Sequence, residues 1–129
     1  MRILLDTHVW LWMVSEPARL APAARAALTN RDNALLLSAA SIWEMAIKYA
    51  LGKLPLPQPP ADFVPPRLVR DGVEPLAVEH HHAAYVATLP PHHRDPFDRL
   101  LAAQAVTERL VLCTSDPALA AYPCERLPA

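Results

Sequence analysis

Residues 3–10 read ILLDTHVW: three aliphatic residues, an acid, then a segment that opens as a helix. Arg2 to Leu5 is expected as a short buried strand, with Asp6 at its carboxyl end and a helix starting over Thr7 to Met13. A second strand and helix follow, without an internal sequence repeat. Ala34 to Ser38 (ALLLS) reads as a second apolar strand. Ala40 to Leu51 follows as the clearest helix, with Ile42, Trp43, Ala46, Ile47, Ala50 and Leu51 over a wide apolar arc. Gly52 falls where a left-handed helix cap is expected.

Working outward, Pro17 to Leu28 is Ala-rich and reads as an amphipathic helix broken by Pro22. Lys53 to Pro60 (KLPLPQPP) can be neither regular helix nor central strand and serves as a connector. Asp62 to Arg70 is expected as helical despite Pro65 and Pro66, Val73 to Val78 as a short strand, and Glu79 to Leu89 as a helix. Pro90 to Asp95 is a rigid basic loop, Phe97 to Arg109 a strong helix, and Leu110 to Cys113 a strand. Pro117 to Ala121 forms one more turn, and the tail supplies a last short strand. Strands alternating with helices predict a mainly parallel sheet covered on both faces, in one domain over residues 1–129. Such sheets carry their sites beyond the carboxyl ends of the strands, where Asp6 and Asp116 fall.

The composition fits a packed domain. Of 129 residues, 53% are hydrophobic and only 19% charged, which argues against long-range disorder. No apolar run reaches the ~18 residues of a membrane span. The start, MRILLD, meets Asp6 before a long apolar region forms, so no secretory signal is expected. Cys113 and Cys124 fit neither a CxxC pair nor a zinc knuckle, and read as two packed thiols in a reducing cytoplasm. A formal net charge of −1 disfavours polyanion binding through overall charge, but allows a local basic rim.

Five acids stand in or beside apolar segments: Asp6, Glu44, Asp95, Asp98 and Asp116. An ionised carboxylate beside a core is costly unless paired, and several at one end of a fold repel one another. A hard divalent cation relieves both costs. Each acid also has an ordinary reading. Asp6, Asp95 and Asp116 suit helix N-caps, the last two with a proline following. Glu44 can pair with Lys48 one turn on. Asp98 favours the positive end of a helix dipole, but its side chain could also project toward the strand ends. Thr114 and Ser115 precede Asp116, where a hydroxyl could orient a carboxylate.

The histidines offer a rival metal set in His80, His81 and His82. Adjacent helical residues point in different directions, so this is a poor chelating spacing. His92, His93 and Arg94 read instead as a polar rim near Asp95, and His8 as a capping or packing residue. The chain has no Gly-rich phosphate loop, no HExxH and no GxSxG elbow.

The ordered strings LLDTHVWLW, SAASIWEMAIKYALGKL, HHRDPFDRLLAAQA and TSDPAL resemble the PIN-domain ribonucleases, and more closely the VapC toxins of toxin–antitoxin pairs. The resemblance runs from about Arg2 to Tyr122. It implies a three-layer α/β/α sandwich and a carboxylate cluster that binds Mg2+ or Mn2+. By motif, Asp6 matches the first-strand acid, Glu44 the acid of the S-x-W-E-x-A helix, Asp98 the acid before R-L-L-A-A, and Asp116 the T-x-D acid. These four are the expected catalytic and metal-ligating residues, with Asp95 and Thr114 accessory. The implied reaction is metal-assisted RNA cleavage that leaves 5′-phosphate and 3′-hydroxyl ends. Arg99, Lys48 and Arg94 are the basic candidates for holding RNA phosphates. The resemblance also implies a small VapB-type antitoxin and a homodimer. Trp10, Trp12 and Trp43 are candidates for an apolar groove or dimer face, with Trp43 expected rather as ordinary core. A non-catalytic PIN-like binding module, and a phosphatase using Asp6 as nucleophile, are the competing classes.

Overall fold

The computed structural model describes residues 1–91 and 94–129. Its centre is a five-stranded sheet in the order β3-β2-β1-β4-β5, with every neighbouring pair parallel. The strands are β1 (Arg2–Leu5), β2 (Ala34–Ser38), β3 (Glu74–Leu76), β4 (Val111–Thr114) and β5 (Arg126–Pro128). Among the described residues, six helices connect them: α1 (Thr7–Ser15), α2 (Pro22–Thr29), α3 (Ala39–Ala50), α4 (Pro60–Asp71), α5 (His80–Tyr85) and α6 (Pro96–Thr107). Short 3₁₀ turns lie at Pro17–Arg19, Val86–Thr88 and Pro117–Ala121.

β1 lies in the middle of the sheet, with Leu5 opposite Leu37 of β2 and Cys113 of β4. Its alternation sorts the two cores. Ile3 and Leu5 join Leu35 and Leu37 against Val9, Trp10, Met45 and Phe63, from α1, α3 and α4. Leu4 and Leu36 face the other way, onto Leu101, Ala102 and Ala105 of α6 and onto Leu89 and Leu119. Two apolar faces and two helical layers make the three-layer sandwich. Burying each large aliphatic side chain contributes about 1.5–3 kcal/mol.

Local chemistry sets the helix limits. Asp6, Ser38 and Asp95 each cap a helix through a side-chain oxygen, and proline follows Asp95. Gly52 and Gly72 take positive φ of 71° and 65° after α3 and α4, which glycine adopts at little cost. α6 stops at Thr107, short of the expected Arg109, which itself adopts φ 55° in a left-handed turn. With no glycine there, that stop has no sequence signal. The stretch expected as one helix over Glu79 to Leu89 divides into α5 and the turn at Val86–Thr88.

Two tryptophans exchange their expected places. Trp10 is fully buried in edge-to-face contact with Phe63, 5.9 Å between ring centroids, and so is core rather than a groove. Trp43, expected as core, is 60% exposed. The apolar arc of α3 is wider than the face its neighbours cover, and Ala40, Ser41, Glu44 and Met45 take the inward positions. Trp12 is half-buried under the Arg19 guanidinium and beside His8.

Both cysteines are free. Burial pushes the Cys113 thiol up to about 12, helped by the nearby Asp6 charge. In native protein at neutral pH, iodoacetamide is expected to leave Cys113 unmodified and to label it fully after unfolding, as peptide mass spectrometry would show. Labelling of Cys113 at the same rate in both states would contradict this packing.

Candidate metal centre

The carboxyl ends of β1 and β4 place Asp6 and Thr114 side by side. The Asp6 amide donates to the Cys113 carbonyl at 2.9 Å, which carries the strand pairing into the turn. The Asp6 carboxylate is 4% exposed, and both its oxygens are engaged. Oδ1 accepts from the Thr7 amide at 2.7 Å, and Oδ2 from the Thr114 hydroxyl at 2.7 Å. Thr114 Oγ1 in turn accepts from the Asp116 amide at 3.1 Å. Asp116 then caps the following turn, its Oδ1 accepting from the Ala118 amide at 2.9 Å.

A second bridge runs to α3. The Thr7 hydroxyl donates to Glu44 Oε1 at 2.7 Å, and Lys48 Nζ meets Glu44 Oε2 at 2.7 Å. Glu44 is also 4% exposed. The ordinary pairing with Lys48 is therefore present, but the carboxylate is turned inward toward the tip of β1. Thr7 was not singled out in the sequence, although a hydroxyl directly after the strand-end acid was a readable signal.

Electrostatics ties these groups together. Burial raises the Asp6 pKa above its ordinary value; the Thr114 and Thr7 hydrogen bonds oppose that rise, while the Glu44 charge adds to it. The Lys48 pKa is raised, first by its hydrogen bond to Glu44 and also by the charges of Asp95 and Asp98. Asp98, half-buried in the first turn of α6, thus contributes its charge to the Lys48 side of the site. Asp95 is the α6 cap, accepting from the Phe97 and Asp98 amides at 2.8 and 3.3 Å. Thr7 joins the carboxylates of Asp6 and Glu44, Thr114 joins the Asp6 carboxylate to the Asp116 backbone, and Asp95 and Asp98 of the α6 start act on Lys48 through their charge.

Of the basic candidates, Lys48 is committed to Glu44. Arg99 donates Nη2 to the Val86 and Leu89 carbonyls, at 3.2 and 3.3 Å, and so holds the 86–89 turn to α6. Arg94 is exposed. The expected rim residues His92 and His93 lie outside the described residues.

The donor set fits a hard cation. Its members are carboxylate oxygens, two of them buried, with one ammonium nearby to offset them. Ser41, one turn before Glu44, is fully buried, and its hydroxyl has no hydrogen-bond partner among the described residues. The acids do not form a closed cage. Among the described residues, the set of three possible ligands with all ligand atoms within 4.8 Å of one another is His81, His82 and Glu108.

The His81–His82–Glu108 set is better explained as a helix clasp. His82 Nδ1 accepts from the Glu79 amide at 2.9 Å, so the neutral ring carries its proton on Nε2, 2.8 Å from Glu108 Oε1. A metal on Nε2 would need that proton removed while Nδ1 stayed an acceptor. The contact joins α5 to the end of α6 instead, and the His82 bond is the first cause of a lowered Glu108 pKa. A depressed carboxylate pKa stabilises the fold above the unfolded value and loses that effect as pH falls below about 4.3. His82→Ala is expected to cost about 2 kcal/mol or more. Glu108→Gln is expected to flatten part of the acid-side loss in urea titrations across pH. Unchanged stability in His82→Ala would contradict the clasp.

A concavity of about 680 Å3 lies at the opposite, amino end of the sheet, lined by Met13, Leu28, Arg31, Val69 and Arg70 among others. It is far along the strands from the acids and shares no residue with them.

The PIN domain family profile matches residues 3–123. Ribonuclease VapC22 of Mycobacterium tuberculosis is 31% identical over 121 residues, covering 93% of this chain and 91% of that protein. Ribonuclease VapC16 of the same organism is 54% identical over 61 residues, but the match covers only 47% of this chain and 43% of that protein. Among solved structures, VapBC2 from Rickettsia felis bound to a promoter DNA fragment superposes with a TM-score of 0.72 at 16% identity, covering 99% of this chain and 98% of that one.

Proposed function

We propose, from the premise that this chain belongs to the PIN domain family, that it is a divalent-metal-dependent endoribonuclease. Two relatives named as ribonucleases support the reaction class, one of them matching over nearly the full length of both chains. The single observation that carries the reading is the hydrogen-bonded run Glu44–Thr7–Asp6–Thr114, continued to Asp116 through the Asp116 backbone amide, at the carboxyl ends of the parallel strands. Asp6, Glu44, Asp98 and Asp116 would hold Mg2+ or Mn2+, directly or through water. A bound divalent cation supplies polarisation of a phosphoryl oxygen and a more acidic water.

The chain's own residues do the positioning. Thr7 and Thr114 fix both oxygens of Asp6, so this carboxylate holds one orientation and is not free to swing. Lys48 holds the outer oxygen of Glu44 and offsets part of the negative charge that would repel an RNA phosphate. Asp116 is aimed by its own capping bond. The exposed Arg94, and Lys48 where it reaches solvent, are the cationic contacts for the RNA backbone, with Arg99 limited to its remaining N–H groups.

The phosphatase alternative needs Asp6 as a nucleophile. A carboxylate that is 4% exposed, with both oxygens accepting hydrogen bonds, is poorly placed to attack phosphorus. In its biological setting the chain acts as one domain, a cytoplasmic toxin restrained by a VapB-type antitoxin, and as a homodimer. Structural likeness to a VapBC assembly supports this partner class. No described helix is long and apolar enough to cross a membrane.

Incubation with structured RNA and Mn2+ is the test. Cleavage that EDTA abolishes is expected. Cleavage unaffected by EDTA, or none with any divalent ion, would remove the reading.

A further inference from the structure

We infer that Trp43 and Phe97 form a stacking ledge for a nucleobase next to the scissile phosphate, an assignment that rests on the ribonuclease reading. Each ring immediately precedes a site acid: Trp43 comes before Glu44, and Phe97 before Asp98. The two rings meet edge-to-face across α3 and α6, with centroids 5.1 Å apart and planes at 77°. The start of α6 that carries Phe97 also carries Asp98, whose charge acts on Lys48, the partner of Glu44, so the ring pair lies at the α3–α6 junction that joins these acids. Trp43 is 60% exposed there, while Phe97 is half-buried beneath the contact.

An indole held on one side and open on the other is what a base needs. Aromatic side chains bind single-stranded nucleic acid by stacking with unpaired bases, whatever the base. A phosphate that reaches Asp6 and Glu44 carries a nucleoside on either side, and those bases fall within reach of rings fixed to the neighbouring positions of the same helices. Phe97 braces the indole, so little side-chain freedom is lost on stacking. Lys48, one turn beyond Glu44 and 38% exposed, adds a cation on the α3 side of the site. Ile47 and Leu51 continue the apolar stripe away from the acids, so a protein interface is the competing use of this face.

The test measures binding, not turnover. A short fluorescent single-stranded oligoribonucleotide of random sequence is titrated by anisotropy in EDTA, beside a matched chain whose residues are abasic. Wild type is expected to prefer the base-bearing chain. Trp43→Ala is expected to lose roughly 5- to 100-fold in affinity for it, with the abasic chain unaffected. Trp43→Phe should recover most of the loss, and sedimentation should show one oligomeric state throughout. Equal affinity of wild type and Trp43→Ala for the base-bearing chain would overturn the ledge. So would a loss that tracks a change in oligomeric state, which would assign the ring to a protein interface. Cleavage with Mn2+, run in parallel on the wild type, separates the two readings: its absence counts against the nuclease, while the binding contrast still judges the ledge.

Discussion

Asp6→Asn is expected to lower the rate of RNA hydrolysis by about a thousandfold or more, with the fold intact. The change removes one charge from the most buried part of the acidic run, yet keeps an oxygen that can accept from Thr114 or Thr7. Burial already raises the Asp6 pKa, so the ionised carboxylate costs the metal-free protein stability. The apo variant should therefore unfold at the same temperature as wild type or higher. Wild type should gain from the cation instead. At about a hundred times its dissociation constant a ligand adds roughly 2.7 kcal/mol, or about 8–12 °C in Tm at this length. Asp6→Asn should show little of that gain. Activity within about tenfold of wild type would show that Asp6 is only the cap of α1.

The second large effect is expected at Thr114. Its hydroxyl donates to Asp6 Oδ2 and accepts from the Asp116 amide, so one atom orients the Asp6 carboxylate and holds the backbone of Asp116. Thr114→Val keeps the shape and removes both bonds. Loss of such an outer partner weakens metal binding by about 10- to 100-fold. Thr114→Ser, which keeps the hydroxyl, should stay close to wild type. Circular dichroism should show the same fold for both. A Val variant that binds Mn2+ as wild type does would make Thr114 a packing residue and no more.

Much of this architecture was legible because period and punctuation agreed. ILL and ALLLS are short apolar runs that end at Asp6 and Ser38, both helix caps, so strand, turn and helix were marked together. The prolines over Lys53 to Pro60 marked a connector, and α4 runs through Pro65 and Pro66 as expected, with Pro60, Phe63 and Val64 buried in its first turns. What the sequence hid is tertiary. Helical periodicity cannot say how much of a wide apolar arc a neighbour covers, so Trp43 read as core. The reading of His80 to His82 as a poor chelating run missed that His82 turns inward to Glu108, 26 residues away. The acids were visible as a set through their apolar settings and the family resemblance. The Thr114 hydroxyl reads as one that orients a carboxylate, but nothing in the sequence says that its partner is Asp6, 108 residues away, or that Thr7 bridges to Glu44.

The central claim is that separate segments converge their carboxylates on one cation. Mn2+ titration followed by electron paramagnetic resonance tests it most directly, on wild type and on Asp6→Asn, Glu44→Gln, Asp98→Asn and Asp116→Asn. A single class of site in wild type, weakened by every one of the four changes, is the predicted result. Mn2+ binding left unchanged by all four, or lost only when His81 or His82 is replaced, would contradict it.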